Sequence, residues 1–113
     1  MATAFAEEAV YVHEVANLNG ADIARATGVA GSTARAWLAR TRSPGRARAA
    51  ERLVELSAIV ERLARVMDPG YIAVWLRKPN PSLDDEKPLD VIRKGGYRRV
   101  SRTVAALESP PAV

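Results

Sequence analysis

Apolar residues recur every three or four positions along most of the chain, which is the spacing of one face of an α-helix. The longest example is the segment 46–67, in which charged residues occupy the other faces. Its apolar face is formed by Leu53, Leu56, Val60, Leu63 and Met67. Residues 3–17 show a shorter version of the same pattern. Nothing in the sequence alternates as a half-buried strand would, so the pattern predicts an all-α fold.

Glycines and prolines indicate where the other helices begin and end. We predict short helices over residues 21–27, before Gly28, and from Ser32 to about residue 40, followed by a turn at 43–45. Asp68 and Pro69 then provide a cap and a first helical residue for a helix that ends near residue 77. After a Pro-Asn-Pro turn, two more helices are predicted.

The two C-terminal helices are placed near 88–94 and over 97–108. Val100, Val104 and Leu107 are expected on the buried side of the last helix. Two prolines follow Ser109 and predict a non-helical tail.

The segment 20–39 has the features of a helix-turn-helix. Ala24 allows two helices to approach closely, and Gly28 supplies a left-handed turn four residues later. Ser32 is expected to cap the second helix. Thr27 and Ala34 are smaller than the residues common at their positions, which predicts weaker packing. The alternative is an ordinary pair of short bundle helices.

If the helix-turn-helix is real, its second helix enters the major groove of DNA from its N-terminal end. Four of its residues would then face bases: Ser32, Thr33, Arg35 and Ala36. Four arginines would meet phosphates: Arg40, Arg42, Arg46 and Arg48. Arg25 is assigned instead to surface ion pairs. A single motif binds DNA weakly, so binding would require a dimer or a larger complex.

Charge is unevenly distributed in this chain of net charge +4. Residues 25–52 carry seven arginines and one acid, and residues 93–102 carry five bases and no acid. An acidic stretch, 84–90, lies between them. Two basic segments favour an anionic partner, with a solvated charged face as the alternative for each.

Several classes of function are disfavoured by the composition. The sequence contains no run of 18 apolar residues, so no membrane span is predicted. Acidic residues stand near the start, where a signal peptide needs basic ones. We therefore expect a cytoplasmic protein. The chain has no cysteine and only His13 as a histidine, which is expected to be a surface or packing residue. No catalytic set, phosphate-binding loop or metal-ligand spacing is found. We therefore expect neither enzymatic activity nor a cofactor or metal.

Residues 75–96 read WLRKPNPSLDDEKPLDVIRKGG, and this order resembles the toxin-binding domain of Xre/MbcA/ParS-type bacterial antitoxins. The order that carries the resemblance is W-L-x-x-P-N-P-x-L followed by P-L-D-x-I and a glycine. Family members commonly have glycine in the loop where Asp84 and Asp85 stand here. The resemblance implies a helix-turn-helix region over 1–45, a connecting helix over 46–67, and a toxin-binding domain with a tail over 68–113.

The resemblance also implies a function. Antitoxins of this family bind a RES-domain toxin that consumes NAD⁺, cover its active site, and repress their own promoter. Trp75 is expected to anchor the core, and Asn80 to bond the local backbone. The residues assigned to toxin contact are Lys87, Arg93, Lys94, Tyr97, Arg98 and Arg102. The alternative for this basic helix is solvation or contact with DNA.

Two other functions remain open at the level of sequence. One is a stand-alone repressor, in which the C-terminal helices serve only for dimerisation. The other is a structural or partition-related DNA-binding protein. The antitoxin function predicts a hetero-complex with a toxin. The repressor predicts a homodimer on a specific operator, and the structural DNA-binding protein predicts salt-sensitive binding spread over DNA.

Overall fold

The computed structural model describes residues 4–45 and 47–110, with side chains from residue 7 onward. This part of the chain contains seven α-helices and one 3₁₀ turn. The helices are α1 (Ala4–Ala16), α2 (Gly20–Thr27), α3 (Gly31–Leu38), α4 (Arg48–Leu63), α5 (Pro69–Arg77), α6 (Pro88–Arg93) and α7 (Tyr97–Glu108), and the 3₁₀ turn is Pro81–Leu83. The all-α prediction is confirmed. None of these helices has the length and apolar character needed to cross a membrane.

The ends of the helices follow the local chemistry of the sequence, with one exception. The Asp68 side chain accepts a hydrogen bond from Gly70 N, and Pro69 opens α5, as predicted. Gly28 ends α2 in the left-handed region, with φ of 83°. The prediction that Ser32 caps α3 is wrong. Ala30 occupies the N-cap position with extended backbone and no side-chain bond, because the turn after Gly28 starts the helix one residue before Ser32.

One apolar core runs through the whole length of the described chain. The central helix α4 packs on α1 and α2 on one side and on α6 and α7 on the other. Every helix contributes buried apolar side chains to this core, among them Val12, Ile23, Trp37, Leu53, Leu56, Leu63, Trp75, Leu76, Ile92 and Val104. The predicted roles of Ile72, Trp75 and Leu76 as core residues of α5 are confirmed.

Two predicted apolar positions lie at the edge of the core. α4 ends at Leu63, and Met67 packs half-buried in the turns that follow. Leu107 was predicted on the buried side of α7 but is 41% exposed. The last turn of α7 is held by a polar contact instead, in which Arg62 of α4 donates to the carboxylate of Glu108.

Polar contacts also join the first helices to the last ones. Nε and Nη2 of Arg77 donate to the two carboxylate oxygens of Asp22, at 2.9 and 2.6 Å. Arg25 donates in the same way to Asp90, at 2.6 and 3.1 Å. Both acceptor–donor pairs have the forked geometry that makes arginine–carboxylate contacts specific. They fix α2 against α5 and α6, and the surface-ion-pair prediction for Arg25 is confirmed.

Candidate functional site

Helices α2 and α3 pack against each other across the turn at Gly28. Ala34 is fully buried between them, and Trp37 is buried as expected. Thr27 is also buried, and its hydroxyl donates to the carbonyl of Ile23 at 2.7 Å. Because that bond satisfies the hydroxyl within its own helix, Thr27 can occupy an apolar position. Both small residues are therefore buried, and the weaker packing expected at their positions stays a prediction.

The residues assigned to base contact lie at the N-terminal end of α3. Ser32 and Arg35 are exposed, whereas Thr33 and Ala36 are half-buried. A methyl group at Gly20 would lie 2.8 Å from Cγ of Arg35, and one at Gly31 would lie 3.1 Å from its Nη1. The two glycines therefore leave room for the Arg35 side chain, which lies along the start of α2.

The arginines assigned to phosphate contact do not form one uniform set. Arg42 and Arg48 are exposed, and Arg46 lies outside the described residues. Arg40 has a left-handed backbone, with φ of 60°. Its side chain lines a groove between α1 and α4 together with Glu7, Glu8, Glu14 and Glu61. Arg40 therefore differs from Arg42 and Arg48 in having glutamates along the same groove.

The six residues assigned to toxin contact have different environments. Arg93, Arg98 and Arg102 are exposed, with no carboxylate within 4 Å among the described residues. Lys94 is exposed but paired with Glu86. Lys87 is half-buried at the N-cap of α6, and Tyr97 packs against the core. Three of the six therefore present an unpaired charge to solvent.

These three arginines are not all on one surface. Arg93 and Lys94 line a groove of about 600 Å³ between α2 and α6, together with Arg25 and Gly28. Arg102 lines a separate hollow of about 350 Å³ with Ser82, Arg99 and Thr103. Arg98 lies one helical turn before Arg102 on α7. The α7 pair, Arg98 and Arg102, is thus distinct from the groove at the end of α6.

The acidic loop balances part of the basic helix. Arg99 lies within 3.5 Å of both Asp84 and Glu86. The hydrogen bond from Lys94, together with the nearby Arg99, lowers the pKa of Glu86 below its ordinary value. Asp84 and Glu86 are therefore engaged with Arg99 and Lys94 at the loop surface. Among the described residues, no group of three acids or histidines could hold a metal ion.

The same loop shows how this sequence replaces glycine. Asp84 and Asp85 both adopt left-handed backbone, with φ of 56° and 63°. Aspartate tolerates this region better than most residues, which explains how the loop keeps its shape without glycine. The Asn80 side chain accepts a bond from Ser82 N at 2.9 Å, so its predicted role in the local backbone is confirmed.

Sequence reasoning missed one exposed apolar surface. Tyr71 and Val74 on α5 are 41% and 43% exposed. They are spaced three residues apart and face away from the buried side of the helix. The signal was present in the sequence, because Ile72, Trp75 and Leu76 already account for the buried face of so short a helix.

Comparison with known proteins places part of this chain in a class. Residues 68–109 match the family model described as the antitoxin Xre/MbcA/ParS C-terminal toxin-binding domain. The match covers helices α5, α6 and α7 and the loop between them, and it confirms the resemblance seen in residues 75–96.

Particular members of the class are similar to this chain. The mycobacterial cidal antitoxin MbcA of Mycobacterium tuberculosis and that of Mycobacterium bovis are each 37% identical to it over 57 residues. The alignment spans about half of this chain and half of each relative. A chain in the crystal structure of the M. tuberculosis MbcT–MbcA toxin–antitoxin complex matches with a TM-score of 0.82 and 26% identity. That match covers 97% of this chain and 98% of the other.

Proposed function

We propose that this protein is the antitoxin of a type II toxin–antitoxin system. The observation that carries the proposal is the match of residues 68–109 to a toxin-binding domain. It is supported by a fold that follows a chain of a toxin–antitoxin complex over nearly its full length. The relatives, which match this chain along about half of their own length, are themselves named antitoxins.

The proposed target is a cytoplasmic RES-domain toxin that consumes NAD⁺, as the family resemblance implies. A pocket that binds the pyrophosphate of NAD⁺ attracts cations. Arg98 and Arg102 are exposed and unpaired among the described residues, and they lie one turn apart on α7. We assign these two arginines to the mouth of the toxin active site. Arg93 belongs to the groove beside α2, and Lys94 is engaged with Glu86.

The second part of the proposal is autoregulation through promoter DNA. It is supported by the packing of α2 and α3 across Gly28 and by exposed Ser32, Arg35, Arg42 and Arg48. Arg40 is left out of the proposed DNA contacts because it lines a groove together with four glutamates. Dimerisation or assembly with the toxin would supply the second half-site.

Arg35→Ala tests the DNA-binding part. An arginine that reads guanine contributes roughly 1–3 kcal/mol to binding of its specific site. We expect the variant to lose about that amount on promoter DNA, measured by titration of labelled fragments at fixed salt. Arg65→Ala is the matched control, because it removes an exposed arginine that is assigned to no DNA contact. An equal loss on unrelated DNA would remove Arg35 from base reading and leave it a phosphate contact.

The antitoxin function is tested by expressing the adjacent gene with and without this chain while cellular NAD⁺ is followed. We expect the adjacent gene alone to deplete NAD⁺ and stop growth, and co-expression of this chain to prevent both effects. If the adjacent gene product is toxic and this chain prevents the toxicity, but NAD⁺ stays intact, the antitoxin function stands and the RES-domain assignment is overturned. An adjacent gene without toxicity, combined with operator binding by a homodimer of this chain, would establish the stand-alone repressor instead.

A further inference from the structure

The outer face of α5 presents two apolar side chains to solvent within the toxin-binding domain. Tyr71 and Val74 are each more than 40% exposed. The opposite face of the same helix is buried through Ile72, Trp75 and Leu76. Exposed apolar residues scattered singly are ordinary, but two that are adjacent on one helical face form a small continuous surface.

Lys78 holds the tyrosine in this surface in place. Its Nζ donates to the Tyr71 hydroxyl at 3.0 Å and lies 5.7 Å from the centre of the ring. The hydrogen bond and the cation–π contact restrict the rotamers of two long side chains before any partner arrives. We call Tyr71, Val74 and Lys78 the α5 surface. Restricting these side chains in advance reduces the entropy lost when a partner binds.

The chemistry of the α5 surface suits a protein partner. Tyrosine is among the residues enriched at energetic hot spots, and the buried centres of protein interfaces are apolar. DNA interfaces are more polar and strongly cationic, which does not match a valine and a tyrosine beside one lysine. A stable homodimer buries about 800 Å² on each partner, and two half-exposed side chains provide far less.

We propose that the α5 surface is an anchor for the toxin, separate from the α7 arginines. The inference rests on the proposed function, because the partner is the toxin that the family domain binds. Its location carries the choice of partner, since α5 lies within residues 68–109. The complementary toxin surface is a hollow lined by apolar side chains, with a carboxylate at its edge for Lys78. Binding at α5 holds the antitoxin while α7 reaches the active site.

Val74→Asp is the direct test, with Val54→Asp as its matched control. Val54 is 42% exposed on α4 and lies outside residues 68–109. Both changes place a carboxylate on an exposed helix position, so they alter folding stability similarly. We expect Val74→Asp to weaken binding of the purified adjacent-gene toxin by roughly 10-fold or more, by calorimetry, with Val54→Asp unchanged. Tyr71→Phe, which keeps the ring but loses the bond to Lys78, should give a smaller loss.

The outcomes separate this inference from the proposed function. If the wild-type chain does not bind the adjacent-gene product, the proposed function fails and the α5 anchor fails with it. If wild type binds and Val74→Asp binds equally tightly, only the α5 anchor is overturned. Loss of operator binding or of self-association by Val74→Asp, with toxin affinity retained, would assign the surface to DNA or to a second copy. Circular dichroism of each variant verifies that it is folded.

Discussion

At the scale of single residues, the pair Arg25–Asp90 shows how a surface contact becomes sensitive to pH. The hydrogen bonds from Arg25 to the Asp90 carboxylate, with a smaller electrostatic contribution, hold the pKa of Asp90 below its ordinary value. A carboxylate whose pKa is lower in the folded state binds fewer protons than it does when unfolded. Its stabilisation is complete above the unfolded pKa and is lost as pH falls through the folded one.

Asp90→Asn should therefore reduce the acid sensitivity of the fold. We expect the wild-type free energy of unfolding to fall more steeply than that of the variant between about pH 5 and pH 2. At pH 7 the variant should be less stable, because the charged acceptor for Arg25 is gone. Urea unfolding followed by circular dichroism at a series of pH values measures both.

Glu61→Gln is the control for that experiment. Glu61 lies 3.5 Å from Arg65 in a pair whose side chains are both more than 60% exposed, so it contributes little. Its pH profile should stay parallel to that of wild type. If the Asp90→Asn profile is parallel as well, the acid loss of stability comes from other carboxylates.

At the scale of elements, Asp22 does more than its place in a short helix suggests. Its carboxylate accepts from Asn19 N while the Asn19 side chain accepts from Asp22 N, which completes a capping box at the start of α2. The same carboxylate receives two bonds from Arg77 of α5. One buried side chain thus helps to determine where α2 begins and joins α2 to α5.

Asp22→Ala should consequently destabilise the chain by about 2–4 kcal/mol, since it removes one of the two bonds of the capping box and a largely buried charged acceptor together. Arg77→Ala leaves the capping box intact but takes the charged partner from the largely buried Asp22 carboxylate, so we expect a loss of about 1–3 kcal/mol. Urea titration of both variants measures the difference. Equal losses would mean that the capping box contributes nothing beyond the ion pair.

Most helix boundaries could be predicted because glycine, proline and capping residues act locally. Gly28 and Asp68 are such positions, and the structure uses both as expected. The capping role predicted for Ser32 is wrong because the geometry of the turn after Gly28, and not a capping side chain, determines where α3 begins. Local sequence signals decide element ends only where nothing in the preceding turn overrides them.

The candidate site was less predictable, because exposure and pairing depend on residues distant in sequence. Lys94 reads as a free cation until the fold brings it to Glu86. Tyr71 and Val74 were assigned no role from the sequence, and the structure shows them exposed because the short helix α5 buries only one of its faces. Composition identified the basic helix α7, but only packing showed that Arg98 and Arg102 are its exposed, unpaired members.

At the scale of the whole molecule, the N-terminal and C-terminal helices share one core. Trp37 of α3 and Trp75 of α5 belong to the same apolar cluster, with α4 packed between the helices of both halves. The bonds Asp22–Arg77 and Arg25–Asp90 cross the same boundary. A region with no core of its own cannot unfold alone without exposing its neighbour, so we expect a single cooperative unit.

The two tryptophans make this testable, because each reports on one half and the chain has no others. We expect Trp37→Phe and Trp75→Phe each to unfold in urea with one transition, in which the remaining tryptophan's fluorescence and the helical circular dichroism have the same midpoint. The midpoints of the two variants differ from wild type, since each substitution loses buried volume. Each probe is therefore compared with circular dichroism of its own variant. Trp37 fluorescence that changes at a lower urea concentration than the helical signal would show that α3 unfolds separately from the C-terminal helices.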